Sequence, residues 1–437
     1  MRTIPPPRTP RQDKVIHALA LTALALMLFV SPMMLMMIGW NYDAPGGSGP
    51  MRFHPATYTV FLLYIAIALR DGNPLASLLG AFNDDYRLWL FLAAWTVLLY
   101  HGVANQSLPA ASLVDTFLLP LLVLQIVVRL SPETRASMVR LVHVGFALNA
   151  LLGITEFGSG WRLTPYVAGG ILITDDWRST AFIGHPLGNA LMTGCYTLIL
   201  LLGGGALKGW HRPAMIGLQL VGMVAFGGRA SLVLLMLAVM VALARGALHF
   251  LAGSKLQLRH VTLLAFLLPV LVGIAGTLFE LGFFDKFILR FTEDKGSANA
   301  RIVMFELFRG FTIPELLLGP QQENLAHYVH IHRLEFGIES LWVAFILFYG
   351  VLPSLLFFTG LLFYLFALTA RCQTRAWVVI AYFFIVNSTF LGIAGKTIGF
   401  AMMCLFLLLL LPQKTPAAYA PPLSNSRARF ASGTAPC

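Results

Sequence analysis

The sequence predicts an all-α fold, a bundle of about twelve transmembrane helices. Hydrophobic residues make up 58% of the 437-residue chain and charged residues only 11%, and the mean hydropathy is +0.77. A soluble protein of this length needs more charge to cover its surface, so the composition indicates lipid as the main solvent. The apolar stretches are unbroken rather than alternating with polar residues, which favours helices over the strands of a membrane barrel.

The order of apolar stretches gives the predicted spans. The first stretch is too long for the hydrophobic part of a signal peptide, and no small-residue cleavage site follows it, so we interpret it as an uncleaved span. The stretch 338–370 is long enough for a tilted span or for one broken near Pro353, and it is counted once. The predicted spans lie near 15–40, 56–69, 88–104, 111–130, 136–155, 185–203, 213–228, 230–250, 260–282, 338–370, 376–395 and 397–412.

The distribution of basic residues predicts the orientation. With both termini in the cytoplasm, 19 of the 30 Lys and Arg residues lie on the cytoplasmic side and 11 outside, as the positive-inside rule requires. Six of the 11 outside fall in one long loop, 283–337, and the shorter external loop 156–184 carries two more. Length and charge make these two loops the candidates for function.

The chain therefore divides into five parts. A basic cytoplasmic tail, 1–14, precedes the first part of the bundle, 15–282. The large external loop 283–337 leads to the last part of the bundle, 338–412, and to a tail, 413–437, whose Pro, Ser and Ala content predicts disorder in the cytoplasm.

Several classes of function find no support in the sequence. The net charge of +11 is more typical of basic loops facing anionic lipid than of a nucleic-acid partner in a chain this apolar. The four cysteines predict neither a disulfide framework nor a metal site. A glycine-rich nucleotide loop is absent from the sequence, so we expect no cofactor and no ATP-driven chemistry.

Arg229 is the first candidate site residue. It follows two glycines between two apolar stretches, which places a guanidinium at the external face of the bilayer. Burying that charge costs several kcal/mol unless it is paired or extends to the interface. One interpretation is such an extension from a helix end. The other is an anion site, because glycines allow close backbone approach and a guanidinium binds phosphate with two donors.

The external loops supply further candidates. Arg301 falls in the first turn of a predicted helix near 297–309, which is either an interfacial amphipathic helix or the carrier of a phosphate contact. Arg178 precedes the predicted span at 185–203 and is either a loop residue or a polar group at an external mouth. Asp175 and Asp176 are interpreted as a solvated turn.

A polar cluster precedes the span at 338. His327, His330 and His332 fit no strong helical metal motif, so a metal is the weaker interpretation and a polar membrane mouth the alternative. Glu339 stands at the start of an apolar stretch, where a carboxylate is expected to be paired or to act on a substrate. Lys396 is interpreted as ending a span.

Taken in order, these segments resemble the O-antigen ligase/polymerase superfamily of bacterial membrane proteins. The resemblance covers roughly 150–395 and depends on the order and spacing of short motifs. The segments that carry it are Arg178 to Pro186 (Arg-Ser-Thr-Ala-Phe-Ile-Gly-His-Pro), Gly228-Arg-Ala-Ser231, Asn299-Ala-Arg301, Leu318-Gly-Pro320, Gly337-Ile-Glu-Ser-Leu-Trp342 and Gly350.

The resemblance implies a metal-independent, inverting glycosyltransferase with a GT-C-like helix bundle, working at the periplasmic face of the bacterial inner membrane. Its donor would be a glycan linked to undecaprenyl diphosphate and its acceptor a growing polysaccharide. Other polysaccharide-assembly proteins would be possible partners. Arg229 and Arg301, with Arg178, would bind the diphosphate, because arginines stabilise the charge that develops on a departing diphosphate.

The chain departs from the ligase pattern at one position. Ligases of this superfamily carry a histidine, often followed by asparagine, where this chain has Glu339 and Ser340. The departure favours the polymerase or exopolysaccharide branch. Glu339 is then the expected base or orienting residue for the acceptor hydroxyl, with His332 or His330 as the alternative.

Three other functions remain open. A ligase would move the glycan to a lipid or protein acceptor. A transporter or flippase of lipid-linked sugar belongs to a different class, and charges near the bilayer midplane are typical of it. The predicted spans are nearly free of charge at their centres, which favours a one-sided enzyme site. A structural or sensory protein is the last alternative.

Overall fold

A computed structural model describes residues 10–42, 49–106, 108–168, 171–174, 176–251, 303–332, 334 and 338–413. Regular structure in these ranges is helical, apart from a two-residue antiparallel pair and one bridge between Cys372 and Pro412. The helices are α1 Pro10–Phe29, α2 Pro32–Met37, α3 Pro55–Arg70, α4 Pro74–Asn83, α5 Tyr86–Ala104, α6 Ala110–Leu113, α7 Leu119–Val127, α8 Pro132–Ser159, α9 Pro186–Leu201, α10 His211–Phe226, α11 Arg229–Leu251, α12 Ile313–Leu318, α13 Gln322–Ile331, α14 Leu341–Tyr349, α15 Val351–Thr369, α16 Ala376–Asn387 and α17 Gly399–Leu410.

Shorter elements complete the description. A π-helical turn, Val114–Leu118, joins α6 to α7, and strands β1 (Val167–Ala168) and β2 (Ile171–Leu172) pair in the connection between α8 and α9. Val167 lies opposite Leu172, and Ala168 lies opposite Ile171. Short 3-10 turns occupy Gly49–Arg52, Leu307–Gly310 and Gly392–Ala394.

Local sequence explains where many helices begin. Ser131 accepts a hydrogen bond from the Thr134 backbone N–H, and Pro132 fills the first position of α8. Asn73 and Pro74 start α4 in the same way. A capping side chain satisfies an otherwise unbonded N–H, and proline has no N–H to lose there.

Within the described ranges, five helical segments are long and apolar enough to cross a membrane, which is typical of an integral membrane protein. The count of twelve stays a prediction, because the span at 260–282 lies outside the described residues and several other predicted spans form shorter helices. The five segments are Arg11–Phe29, Tyr86–Ala104, Ala110–Val127, Pro132–Ser159 and Val351–Thr369.

The first predicted span differs from the structure at both ends. α1 begins at Pro10, so residues 10–14 of the predicted tail are helical. The helix ends at Phe29, because Ser31 and Pro32 start the separate helix α2. Proline cannot continue the hydrogen-bond ladder of the preceding helix, so the apolar stretch 15–40 divides there.

The stretch 338–370 forms two helices rather than one. The break lies at Gly350, whose φ of +87° is accessible to glycine, three residues before Pro353. α14 then packs back against the start of α15. The Phe345 and Phe357 rings stack at 5.7 Å, and the Ser354 hydroxyl donates to the Phe345 carbonyl at 3.1 Å.

α16 and α17 are also shorter than predicted, with twelve residues each. At 1.5 Å per residue each is about 18 Å long, well under the roughly 30 Å of a bilayer core. The segment 388–398 that joins them therefore lies among the helices rather than beyond them. It contains Lys396, which does not simply end a span.

Contacts between helix ends define the two ends of the bundle. At the first end, Arg371 after α15 pairs with Asp85 before α5 at 2.9 Å, and the Gly205 N–H donates to Leu410 of α17. The Gln373 N–H donates to the Leu411 carbonyl and the Gln413 N–H to the Arg371 carbonyl, so α9 and α17 end beside the start of α5. At the opposite, second end, α5, α8 and α10 end and α9, α11 and α15 begin.

Aromatic and small side chains pack the centre of the bundle. Gly360 of α15 lies against Ala94 of α5, where an added Cβ would come within 2.5 Å of the alanine methyl. Close approach of this kind is typical of helix pairs in membranes. The buried aromatic residues that pack around this contact are Phe91, Phe117, Phe345, Phe357, Tyr364 and Phe400.

Candidate functional site

A buried carboxylate organises the connection between α8 and α9 at the second end. Oε2 of Glu156 accepts hydrogen bonds from the Ser179 hydroxyl at 2.5 Å and from the backbone N–H groups of Thr180 and Ala181 at 2.9 Å each. Oε1 accepts from the Leu163 N–H at 2.8 Å. Because Glu156 is buried, these four donors fix both ends of the connection to α8.

Two asparagines form a second support beneath this connection. Asn149 of α8 donates to the Asn189 side chain at 3.0 Å and accepts from the Phe182 N–H at 3.1 Å. Asn189 of α9 donates to the Thr180 carbonyl at 2.5 Å. Both side-chain amides are thereby satisfied in the interior.

Arg178 is buried and already paired. Its Nε and Nη2 atoms reach the Asp176 carboxylate at 2.6–3.0 Å, and Nη2 also donates to the Tyr166 hydroxyl at 3.0 Å. Burial acts to lower the pKa of Arg178, but the Asp176 carboxylate outweighs it and holds that pKa above its ordinary value. The interpretation of Asp176 as part of a solvated turn was wrong, because it is half-buried against this arginine.

The Arg178–Asp176 ion pair lies against the loop that carries Arg229. A Cβ on Gly227 would come within 2.8 Å of Cγ and 2.9 Å of Cδ of Arg178. The Ser179 N–H also donates to the Ala225 carbonyl at 3.1 Å. The predicted candidates Arg178 and Arg229 therefore belong to adjoining segments, although they are distant in sequence.

The first turn of α11 is held by α9 and α16. A Cβ on Gly228 would come within 2.4 Å of the Ala190 methyl. The Tyr382 hydroxyl donates to the Ser231 carbonyl at 2.9 Å and lies over Gly194. Arg229, half-buried, opens this helix and is positioned by these contacts.

The late candidates lie before α14. His330 is exposed in the last turn of α13, and Nδ1 of His332 lies 4.0 Å from Oε2 of Glu306. Glu339 is half-buried, next to buried Ser340 at the start of α14. Arg301 lies outside the described residues, as do Asn299 and Gly337 of the motifs that carry the resemblance.

The described part of the large loop is bound to the second end of the bundle. The Leu318 carbonyl accepts from Nε2 of His101 at 2.7 Å and from Nε2 of Gln106 at 3.1 Å. The backbones of Gly319 and Gly350 touch, since a Cβ on Gly350 would come within 2.4 Å of the Gly319 nitrogen. The loop segment that leads to His332 and Glu339 therefore lies at the same end as Arg178 and Arg229.

A buried acid inside the bundle escaped the sequence argument. Asp115 is fully buried in the π-helical turn, within the candidate span Ala110–Val127, and accepts from the His54 N–H at 3.0 Å and the Thr57 hydroxyl at 2.8 Å. A carboxylate within an apolar stretch was the available signal. The near absence of charge in the predicted spans was used to favour an enzyme over a transporter, and Asp115 weakens that argument.

Lys396 lies close to this acid. Its ammonium lies 3.6 Å from the centre of the Tyr42 ring and donates to the Tyr42 carbonyl, and its charge acts on both Asp115 and His54. The segment 388–398 is thus joined to the connection before α3. Neighbouring Gly395 and Thr397 bond to the Thr116 hydroxyl at 3.3 and 3.1 Å.

Among the residues that the structure describes, no group of three or more His, Cys, Asp or Glu side chains is arranged to hold a metal ion. No protein-family model, curated protein or solved structure matches the chain. The site is therefore interpreted from its own geometry.

Proposed function

We propose that the chain is a glycosyltransferase of the bacterial inner membrane that polymerises oligosaccharide repeat units carried on undecaprenyl diphosphate. The observation that supports the proposal best is the placement of Arg229. This arginine opens a long helix at the end of the bundle where both polar external segments gather. Its donors suit the phosphate oxygens of a lipid diphosphate that enters along the membrane.

The chemistry follows from charge. An acceptor hydroxyl attacks the anomeric carbon, the bond to the lipid diphosphate breaks, and the configuration inverts. Arg229 and Arg301 stabilise the negative charge on the leaving diphosphate without a metal. Arg178 is already neutralised by Asp176, so its part is to support Gly227 and the start of α11.

The hydroxyl proton needs an acceptor. Glu339 is the proposed base or orienting group, because it lies at the mouth of the bundle before α14. His332, with Glu306 at 4.0 Å, is the alternative, and exposed His330 is the next.

The proposed orientation places the second end in the periplasm. Basic residues bind carbonyls or acids at the first end, among them Arg212 on Leu200, Arg375 on Leu202 and Arg371 on Asp85. Enrichment of Lys and Arg at one end is typical of the cytoplasmic side.

The test is complementation of a deletion strain with the wild-type gene or with Arg229→Ala. The lengths of the undecaprenyl-linked glycans are then measured by mass spectrometry. We expect single repeat units on the lipid and loss of long polymer. Arg140→Ala is the matched control, since Arg140 is an exposed arginine in the first half of α8, toward the other end of the bundle.

Other outcomes identify other functions. Long polymer that accumulates on the lipid would show a ligase. Normal polymer from Arg229→Ala and from Arg301→Ala would exclude the diphosphate role. The amount of each variant in the membrane is measured in parallel, because a variant that fails to insert would imitate loss of activity.

Asp115 favours one second candidate, a transporter of the lipid-linked unit. Transport sites are typically built where short or broken helices meet ionisable groups inside the bundle, as 388–398 and Asp115 do here. If the protein is a transporter, single units accumulate on the cytoplasmic side in the Asp115→Asn strain. A glycosidase added to spheroplasts then does not digest them. For a polymerase the accumulated units are digested.

A further inference from the structure

α12 is an apolar helix with its side chains on the surface. It has six residues, Ile-Pro-Glu-Leu-Leu-Leu, and none is buried. Ile313 is 75% exposed, Leu318 54% and Leu317 37%. Ile313 and Leu317 are four residues apart and share one face of the helix, so their two large apolar side chains form a patch, and exposed Leu318 follows at the next position.

The patch does not belong to a loose loop. Thr312 and Glu315 form a capping box, with the Glu315 carboxylate accepting from the Thr312 N–H at 2.8 Å and hydroxyl at 2.7 Å. At its other end the helix is bound through the Leu318 carbonyl to His101 and Gln106 of the α5 end. The exposure of the patch is therefore a fixed property of the fold.

The surroundings of the patch indicate what covers it. α12 packs against α14 and α15, and its Leu318 carbonyl is bonded to the end of α5. α5 and α15 are long enough to cross a membrane and expose apolar side chains near the same end. The exposed residues on these two helices include Tyr100, Val103, Val351, Leu352 and Leu355.

Exposed apolar side chains on neighbouring helices of this kind have one natural solvent. On a soluble face it would be an aggregation site, whereas acyl chains lie against helices that cross a bilayer. We propose that α12 is inserted in the leaflet at the second end of the bundle, with Ile313, Leu317 and Leu318 among the acyl chains. The external segment is then fixed to the membrane surface beside α5 and α15.

Depth measurements with nitroxide labels test the insertion. Cys437→Ser leaves Cys195, Cys372 and Cys404, which are buried, so single labels are placed by Ile313→Cys or Leu317→Cys. The full chain is reconstituted in vesicles of phosphatidylethanolamine and phosphatidylglycerol. Accessibility to oxygen, which concentrates in lipid, is compared with accessibility to a water-soluble nickel chelate.

Two labelled positions calibrate the result. Leu355→Cys on α15 reports a surface exposed to lipid, and Ala326→Cys reports the exposed side of α13. We expect labels at 313 and 317 to give an oxygen-to-nickel ratio close to that at 355 and at least several-fold above that at 326. Ratios equal to that at 326 would show that the patch faces water and would overturn the proposal.

A second copy of the chain is the other possible occupant. In that case spin–spin broadening would appear at 313 and disappear on dilution with unlabelled protein, and this result would also overturn the proposal. Insertion does not depend on the glycosyltransferase assignment. The labels can therefore report lipid even where Arg229→Ala leaves the polymer unchanged.

Discussion

Oε2 of Glu156 lies 2.5 Å from the Ser179 hydroxyl, and this short hydrogen bond connects the last turn of α8 to the segment just before α9. The same oxygen accepts from two successive backbone N–H groups, at Thr180 and Ala181. One carboxylate thus determines the path of the segment that carries Arg178. The second end of the bundle, where Arg178 lies, therefore depends on a carboxylate whose hydrogen bonds go to a serine and to backbone N–H groups.

Glu156→Ala should therefore destabilise the protein. It leaves the buried N–H groups of Thr180 and Ala181 and the partly buried N–H of Leu163 without acceptors, and each buried group left unpaired costs about 1–3 kcal/mol. We expect a total loss of about 3 kcal/mol or more, measured by thermal unfolding in detergent. Glu133→Ala is the matched control, because Glu133 is exposed at the start of the same helix and should change stability by under about 1 kcal/mol. Equal effects from both changes would contradict the role given to Glu156.

Gly350→Ala should also destabilise the protein. Gly350 has φ +87°, and an added Cβ would lie 2.4 Å from the Gly319 nitrogen, a backbone atom that cannot rotate away. Left-handed backbone alone costs a non-glycine residue about 1–2 kcal/mol, and the overlap adds to it. Gly217→Ala in α10 is the control, since no atom lies within 4 Å of its added Cβ. It should leave the unfolding midpoint unchanged or raise it slightly.

The sequence predicted the helices well where apolar length and end signals agree. α5 begins two residues before the predicted 88–104 and ends with it, and α8 extends the predicted 136–155 by four residues at each end, where the caps Asp85 and Ser131 place the true starts. It failed where an apolar stretch contains a break. Gly350 and the 388–398 segment divide apolar stretches that composition alone joins, since the contacts that stabilise the breaks come from distant parts of the chain.

The candidate site could also be predicted only in part. Arg178 and Arg229 are noticeable in sequence because charge is rare in this chain, and the structure brings their segments together through Gly227. The partners Asp176 and Glu156 could not be assigned, because a carboxylate beside a loop looks the same whether it is solvated or bonded to buried donors. Whether such a carboxylate is bonded depends on which distant parts of the chain the fold brings close to it.

His54 should make a contribution to stability that is lost in mild acid. Burial lowers the pKa of His54 from 6.5 to about 4, with the charge of Lys396 adding to the effect. Between these two values the unfolded chain binds a proton that the folded chain does not. The contribution is therefore complete above pH 6.5 and is lost as the pH falls toward 4, by an amount on the order of 3 kcal/mol.

The variant His54→Asn tests that pH dependence. Asparagine retains an acceptor at the start of α3 but does not titrate, so it should be less stable at neutral pH and show a flatter fall between pH 6.5 and 4. His211→Asn, at an exposed position, should keep the full slope.

The last prediction concerns the role of Arg178. Arg178 and Asp176 form a largely buried pair at 2.6 Å. Removing one member of a buried pair costs about 3–5 kcal/mol, because the other charge stays buried without compensation. Arg178→Gln and Asp176→Asn should therefore each lower the unfolding midpoint, measured by thermal unfolding in detergent.

The double variant Arg178→Gln with Asp176→Asn decides between support and direct binding. Two neutral amides can bond to each other, so stability should recover to well above that of either single variant. If Arg178 only supports the loop with Arg229, polymer length should recover along with stability. A stable double variant that still makes no polymer would instead mean that the Arg178 guanidinium itself contacts the diphosphate, because only a missing ligand contact then remains to explain the loss.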